Sequence, residues 1–329
     1  MPRDRRNLAI RLGLVLVGVF VCVMAVFLIA HWLRPTGPGG AVYDGLLDVG
    51  RGVDALAGTN ALRHPFVWHS LATGAFVGVV APLVGTYLVH REMALIGETL
   101  AHTAFAGVAV GLLFAEATGW NVSLLISALV VAVLGAFGVE ALARRTDAFG
   151  DVPIAIMLTG SFAVGTILIG FGDGLTAISV DSFLFGNIAF VTVDGARLMA
   201  VMTVAVVAVI AVAHRPLTFI TFDQEAARVA RLNVRWYNAV LIVATAVVVV
   251  GAMQILGIIL VAAMLVVPVA AASQLARSFH ESILLAILIG EVAVVLGFVL
   301  SLEWGVPAGG TIVVVAIGWY LLAVLLGRR

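Results

Sequence analysis

The chain contains no lysine, so all 18 of its basic residues are arginines. A P-loop ATPase holds the phosphates of its nucleotide with a lysine of the Walker A motif. The missing lysine therefore excludes a P-loop ATPase, and the chain is not expected to be an enzyme. If ATP drives its activity, a separate partner chain must bind and hydrolyse that ATP.

The chain also has only one cysteine and no net charge. The single cysteine, Cys22, excludes a disulfide framework and a thiolate metal cluster. A net charge of zero provides no basic field that would attract nucleic acid. The sequence also lacks the His-Glu-x-x-His motif of zincins and the Gly-x-Ser-x-Gly elbow of serine hydrolases.

Apolar residues make up most of what is present. The chain is 63% hydrophobic and 11% charged, whereas a soluble domain is about 45–50% apolar and about 25% charged. Several runs reach the roughly 20 residues that cross the hydrocarbon of a bilayer. The run Leu12–Trp32 is too long for the core of a signal peptide, and no small-x-small cleavage site follows it. The composition predicts an all-α, multi-pass protein of the cell membrane, embedded in the lipid bilayer.

The apolar runs predict ten membrane spans. Their approximate limits are 10–32, 66–89, 94–115, 121–142, 152–171, 197–213, 237–252, 254–275, 282–301 and 306–326. Only Gly251–Gly257 separates the seventh span from the eighth, so one of these two could be broken or re-entrant. With the N-terminus in the cytoplasm, 14 arginines lie inside and 4 lie outside. The positive-inside rule then predicts ten spans with both termini cytoplasmic.

Two of the segments predicted to lie outside are long. Residues 34–65 are rich in glycine and begin with turn or linker chemistry at positions 35–40. Residues 171–196 carry Asp173, Asp181 and Asp194 among apolar residues. An acidic but apolar loop of this kind could dip into the membrane region.

The third span contains a carboxylate and an imidazole four residues apart. Glu98 and His102 therefore share one face of a helix. Ionisable residues within a span are costly and usually face a cavity or a partner. Carboxylate oxygen and imidazole nitrogen are ligands for zinc, manganese or iron. The alternative is a Glu near a helix end and a His that hydrogen-bonds another helix, and these two residues alone do not decide between the two.

The loop between the sixth and seventh spans predicts a short helix. Residues Thr221–Gln224 fit the capping-box pattern, and Asp223 and Glu225 would lie at the positive end of the helix dipole. A short capped helix between two spans is what a permease could insert into a groove of an ATPase. An ordinary surface helix that joins two spans is the alternative.

The remaining ionisable residues are more ambiguous. Glu291 within the ninth span is a candidate for a polar path. His90, His214 and His280 fall at the predicted cytoplasmic ends of spans, where we interpret them as interfacial packing residues. His64 and His69 flank the outer end of the second span and could help to form an entrance.

Five segments, in order along the chain, resemble one known family. They are Arg91–His102, Asp181–Asn187, Phe222–Arg228, Gly257–Ala272 with its Pro268, and Val306–Thr311. Together they resemble the membrane subunit of metal-ion ABC importers, the zinc/manganese/iron permease family. The resemblance extends over roughly residues 65–326 without gaps. Residues 1–64 would then be an extra N-terminal span with an extracytoplasmic loop, and residues 65–329 the permease core.

The resemblance implies a type II ABC importer permease fold, similar to that of the cobalamin importers. It implies a second copy of the chain around a central path, cytoplasmic ATP-binding cassette ATPases, and an extracytoplasmic metal-binding protein. No permanent cofactor is expected, and the divalent metal ion would be cargo. The implied path residues are Glu98, His102, Asp181 and Glu291. The implied ATPase-coupling residues are Asp223, Gln224, Glu225, Ala226, Ala227, Arg228 and Arg231.

Two departures from the family pattern matter. The family usually has Asp at the position of Glu98, so the ligand geometry stays open. It usually has Gly near Arg231, so the short helix could run longer or contact the ATPase differently. The resulting hypothesis is an importer permease that works by alternating access. The rival is an ATP-independent, ion-coupled transporter that uses Glu98, Glu291 and Asp181, and the transported metal is left open.

Overall fold

The computed structural model describes residues 3–120, 123–145, 152–171 and 191–327. These ranges form helices joined by short loops and contain no strand. The helices are α1 Arg3–Trp32, α2 Gly37–Ala57, α3 Pro65–His90, α4 Leu95–Thr118, α5 Leu124–Arg145, α6 Val152–Phe171, α7 Val193–Phe222, α8 Gln224–Val229, α9 Val234–Leu256, α10 Ile258–Leu275, α11 Phe279–Trp304 and α12 Ala308–Gly327.

Among the described residues, nine helices are long and apolar enough to cross a membrane. They are α1, α3, α4, α5, α6, α7, α9, α11 and α12. The eighth predicted span corresponds to α10, whose apolar stretch Val261–Leu275 is shorter than the others. The prediction of an all-α, multi-pass membrane protein is confirmed.

A single glycine separates α9 from α10. Gly257 has φ 75° and ψ 160°, and its N–H donates to the Met253 carbonyl at the end of α9. This region of backbone conformation is open almost only to glycine, because a β-carbon would clash there. The seventh and eighth predicted spans are therefore distinct helices with a sharp break between them.

Helix α3 lies at the centre of the bundle. It packs against α1, α7, α9, α10 and α11, and most of its residues are buried. Gly85 allows the closest approach, since a β-carbon at this position would collide with the Leu265 carbonyl oxygen of α10. Because no side chain intervenes, the two backbones meet directly.

Replacing Gly85 with alanine should destabilise the bundle strongly. Overpacking of a well-packed interior typically costs about 1–3 kcal/mol, and more where backbone must move. Gly310→Ala is the matched control, because the β-carbon added at that helical glycine meets nothing within 4 Å. Thermal unfolding of both variants in detergent measures the difference, and equal melting temperatures would contradict the close approach of α3 and α10.

The segment 34–65 departs from its predicted turn or linker character. At its start only residues up to 36 form a turn, and a 21-residue helix, α2, begins at Gly37. Six of its residues are glycines, each of which costs about 1 kcal/mol relative to alanine in a helix. Burial compensates for this cost: Tyr43 and Leu47 are 2% and 6% exposed, and Tyr43 stacks on Phe27 of α1.

The loop that follows α2 is tied to it by a buried carboxylate. Asp54 accepts hydrogen bonds from the Thr59 hydroxyl at 2.7 Å, the Leu62 N–H at 3.1 Å and the Arg63 N–H at 2.9 Å. Burial alone would raise the pKa of Asp54, but these hydrogen bonds outweigh it and lower the pKa. The loop therefore has a fixed path to the start of α3.

Helix α7 is longer than the predicted sixth span of 197–213. It begins after Thr192, whose hydroxyl accepts the Gly195 N–H at 3.0 Å. It continues through Pro216 to Phe222, so His214 and Arg215 lie within the helix. The span predicted from hydropathy stops before these polar residues, whereas the backbone stays helical for about two further turns.

Candidate functional site

Glu98 and His102 lie in the first two turns of α4, on one face of the helix. The Glu98 Oε1 and His102 Nε2 atoms are 4.0 Å apart, which is too far for a hydrogen bond. Two ligands of one tetrahedral zinc ion would be separated by about 3.3 Å, so a small side-chain rotation would place both on one ion. The predicted pair is therefore close to ligand geometry.

His102 and Glu98 have different surroundings. The His102 ring packs edge-on against Phe162 of α6, with ring centroids 4.9 Å apart. The His102 Nδ1 atom is buried without a hydrogen-bond partner, so the alternative in which His102 bonds another helix has no support here. The Glu98 side chain is 44% exposed, against 15% for His102.

The other predicted path residues do not complete a cluster with this pair. Asp181 lies outside the described residues. The Glu291 carboxylate is 2% exposed and unpartnered, and it lies against Gly78 of α3. Within the described ranges, no three His, Cys, Asp or Glu side chains come together. Metal roles for Glu98, His102, Asp181 and Glu291 all stay predictions.

The short helix predicted between the sixth and seventh spans is present as α8. Its N-cap is Asp223, whose Oδ1 accepts the Ala226 N–H at 2.8 Å. The predicted capping box from Thr221 is wrong, because Thr221 still belongs to the last turn of α7. Its hydroxyl donates to the Leu217 carbonyl at 2.7 Å.

Most predicted coupling residues of α8 face outward. Exposed positions are Asp223, Gln224, Glu225, Arg228 and Arg231, and Ala226 is half-buried. Ala227 is fully buried and packs with Ile220 and Val234, so it faces the bundle and holds α8 in place. Three apolar residues within or next to the helix, Phe222, Val229 and Trp236, are 63%, 84% and 63% exposed. The outward surface of α8 is therefore both charged and apolar.

The end of α8 retains a backbone conformation that suits glycine. Helix α8 stops at Val229, and Arg231 has φ 60° in the left-handed region. The expectation that the helix could run longer at this departure from the family pattern is not met. Arginine occupies a position where an L side chain costs about 1–2 kcal/mol.

We expect Arg231→Gly to raise stability by about 1 kcal/mol, because glycine adopts positive φ without that cost. The corresponding rise in apparent melting temperature is about 2 °C, measured by thermal unfolding in detergent. Arg231→Ala is the control, since it removes the charge but keeps the β-carbon. A gain of equal size in both variants would show that charge, rather than backbone conformation, is responsible.

Arg91, which the sequence predicted only as a cytoplasmic charge, joins the helices on both sides of α8. Its Nε donates to the Thr221 hydroxyl at 2.9 Å, one Nη to Asn238 Oδ1 at 2.8 Å and the other to the Leu217 carbonyl at 3.1 Å. Burial lowers the pKa of Arg91 to about 10, so the guanidinium stays charged at neutral pH. The only sequence signal for this role is the position of Arg91 at the head of the first family-like segment.

The two histidines predicted near the outer end of the second span have different surroundings. His64 precedes α3 as its N-cap residue and is exposed. His69 is 5% exposed, packed against Phe27 and His31 of α1. His69 is therefore covered by α1, and a part for it in an open entrance has no support from this packing.

Comparisons with known proteins indicate the same family as the five sequence segments. The sequence profile of the ABC 3 transport family matches residues 63–327. The manganese transport system membrane protein MntC of Listeria innocua is 28% identical over 268 residues, which cover 82% of this chain and 93% of that protein. The manganese import system permease protein ScaB of Streptococcus parasanguinis is 29% identical, covering 80% and 91% of the two chains.

Solved structures agree with these sequence relatives. PsaBC from Streptococcus pneumoniae, solved in complex with a Fab, superposes with a TM-score of 0.73 and 29% identity over 84% of this chain and 95% of that chain. An ABC transporter in an inward-facing conformation has the same fold, with a TM-score of 0.58 and 17% identity over 80% and 86% of the chains. The predicted fold class and membrane location are thereby confirmed. The chain belongs to the ABC 3 transport family and is a multi-pass membrane protein of the metal-importer permease type.

Proposed function

We propose that this chain is the transmembrane subunit of an ATP-driven divalent metal-ion importer that works as a homodimer by alternating access. The observation that carries the proposal is the Glu98–His102 pair, which puts an oxygen and a nitrogen ligand 4.0 Å apart in an apolar helix. These ligand types suit manganese, zinc and ferrous iron alike. Because the sequence relatives above are named as manganese transport proteins, Mn²⁺ is the first cargo to test.

The half-exposed carboxylate supports the homodimer. An ionised Glu98 that faced lipid hydrocarbon would be costly, so we expect this side of α4 to face water or a partner. In a single chain, that side is open, since the Glu98 side chain is 44% exposed. A second copy placed over it would enclose a path between the two subunits, with one Glu98–His102 pair from each.

The outward surface of α8 supports an ATPase partner. Phe222, Val229 and Trp236, within and on either side of α8, are exposed apolar residues near its charged ones. An exposed apolar patch rimmed by polar groups is typical of a protein–protein interface. ATP-driven movement of the partner would reach α7 and α9 through this helix. On the opposite side, an extracytoplasmic binding protein would deliver the ion near the Asp181–Asn187 segment.

Reconstitution in liposomes tests the proposal and separates it from its rival. With the extracytoplasmic binding protein present, the chain purified with its ATPase should take up Mn²⁺ only when ATP is supplied. The same chain without the ATPase should show no uptake under a proton or sodium gradient. Gradient-driven Mn²⁺ uptake by the chain alone would instead establish an ion-coupled secondary transporter.

A further inference from the structure

A cluster of histidines lies beside α8, near the C-terminal ends of α3 and α7 and the start of α11. The sequence predicts separate packing roles for His90, His214 and His280, whereas in the structure a chain of ring contacts through Phe279 and Tyr87 connects them. Phe279 packs against His90, with centroids 5.1 Å apart, and against Phe222 at 5.3 Å. His214 of α7 and His280 of α11 are in direct contact, with ring centroids 4.6 Å apart.

The two rings present their Nε2 atoms to each other. The distance from His214 Nε2 to His280 Nε2 is 3.1 Å, close to the roughly 3.3 Å between two imidazole ligands of one tetrahedral zinc ion. His280 is exposed and His214 is half-buried, so an ion from solution can reach both. Without an ion the two rings are within hydrogen-bond distance, so a bound ion would replace an Nε2–H···Nε2 hydrogen bond between them.

The rest of His214 is arranged as metal-binding histidines usually are. Its Nδ1 lies 2.6 Å from the Tyr87 hydroxyl of α3. A ligating histidine commonly donates its second N–H to an oxygen, which fixes the tautomer and leaves the other nitrogen free for the metal. In the tautomer whose Nδ1–H donates to Tyr87, His214 Nε2 carries a lone pair and lies 3.1 Å from His280 Nε2.

We propose that His214 and His280 form a second metal-ion site, which binds a divalent transition-metal ion at the end of the bundle that carries α8. Two imidazoles and water would complete its coordination. His214 lies about two turns before the end of α7, and α7 leads directly into α8. A bound ion would therefore fix the end of α7 to the start of α11 and restrain α8.

This arrangement provides feedback on import. The regulatory part rests on the proposed function, since an ion leaving the path near Glu98 emerges at the same end of the bundle. When the ion accumulates on that side, occupancy of His214 and His280 slows the movement of α8 and lowers the transport rate. The cargo then limits its own entry.

Zinc binding to the purified chain tests the site independently of transport. Equilibrium dialysis against Zn²⁺ is done in the His102→Ala background, which removes one ligand of the path pair. We expect His280→Gln and His214→Gln each to lower the bound Zn²⁺ by one ion per chain. His64→Gln, an exposed histidine near the opposite end of α3, should leave the count unchanged. An unchanged count in His280→Gln, whose exposed side chain can be replaced without disturbing the core, would overturn the proposal.

The regulatory role has its own measurement. In liposomes that contain the permease and its ATPase, Zn²⁺ added on the side of α8 should reduce ATP-driven Mn²⁺ uptake at least several-fold, and His280→Gln should abolish this inhibition. Equal inhibition in both forms would disprove the feedback while leaving the dialysis result intact. If no ATP-driven uptake occurs at all, the proposed function fails, whereas the dialysis still decides the metal site.

Discussion

Glu98→Ala should reduce metal-ion uptake by about ten- to a hundred-fold. His102→Ala should reduce it to a similar extent. Loss of even an outer-shell partner of a metal ligand costs that much affinity or activity, and these residues are proposed as direct ligands. The two atoms are 4.0 Å apart on one face of α4, so either substitution leaves a single ligand from that chain. Initial rates of ATP-driven Mn²⁺ uptake in liposomes provide the measurement.

Two further variants separate ligation from general damage to α4. Glu98→Asp keeps the carboxylate that the family usually has at this position, and it should retain most of the uptake. Glu116→Ala removes an exposed carboxylate from the far end of the same helix and should have no effect. Wild-type uptake in both Glu98→Ala and His102→Ala would rule out this assignment of the path.

Arg91→Ala should uncouple ATP hydrolysis from transport. Arg91 makes three hydrogen bonds that join the end of α7 to the start of α9, and bonds to a charged group contribute about 1.5–3 kcal/mol each. Without them, α8 is held mainly by the buried Ala227. We expect at least a ten-fold fall in ions transported per ATP hydrolysed and a clear fall in melting temperature.

Arg91→Lys tests whether the positive charge is sufficient or whether the geometry of the guanidinium is also needed. A lysine ammonium is a point charge on a flexible stem and cannot reproduce a planar fork aimed at three oxygens. Arg91→Lys should therefore lose most of the coupling, although the positive charge is kept. Arg11→Ala removes an exposed arginine of α1 and serves as the control. Normal coupling in Arg91→Lys would mean that charge alone suffices at this position.

The sequence predicts features that depend on residues close together in the chain, and it misses features that depend on residues far apart. Membrane spans depend on local hydropathy, so nine of the ten predicted spans correspond to described helices that are long and apolar enough to cross a membrane, and the remaining one corresponds to the shorter α10. Helix α2 was missed because its six glycines weaken the local signal, whereas the stabilising burial of Tyr43 and Leu47 depends on α1 and α3. The N-cap of α8 was misplaced by two residues because Thr221 and Asp223 both fit a cap locally.

The residues of the candidate site divide in the same way into those with local and those with long-range signals. Glu98 and His102 were found because four-residue spacing on a helix is a local rule. The contacts of Arg91 join residues 126 to 147 positions apart, and those of His214 with His280 span 66 positions. Such pairs need the packed bundle before they can be recognised. The Asp181–Asn187 segment lies outside the described residues, so its predicted role at the entry stays open.

The backbone approach at Gly85 has a consequence for alternating access. Helix α3 meets α10 at Gly85, and it meets α11 where a β-carbon on Gly290 would come within 2.9 Å of the Gly78 carbonyl oxygen. Surfaces that interlock at backbone level cannot slide without separating, so α3, α10 and α11 should travel as one rigid unit. Helices α4, α5 and α6 pack closely on one another and would form a second unit. The seam between the two units then runs along α4, so a displacement of one unit against the other would move the Glu98–His102 pair as a whole and change its access to water.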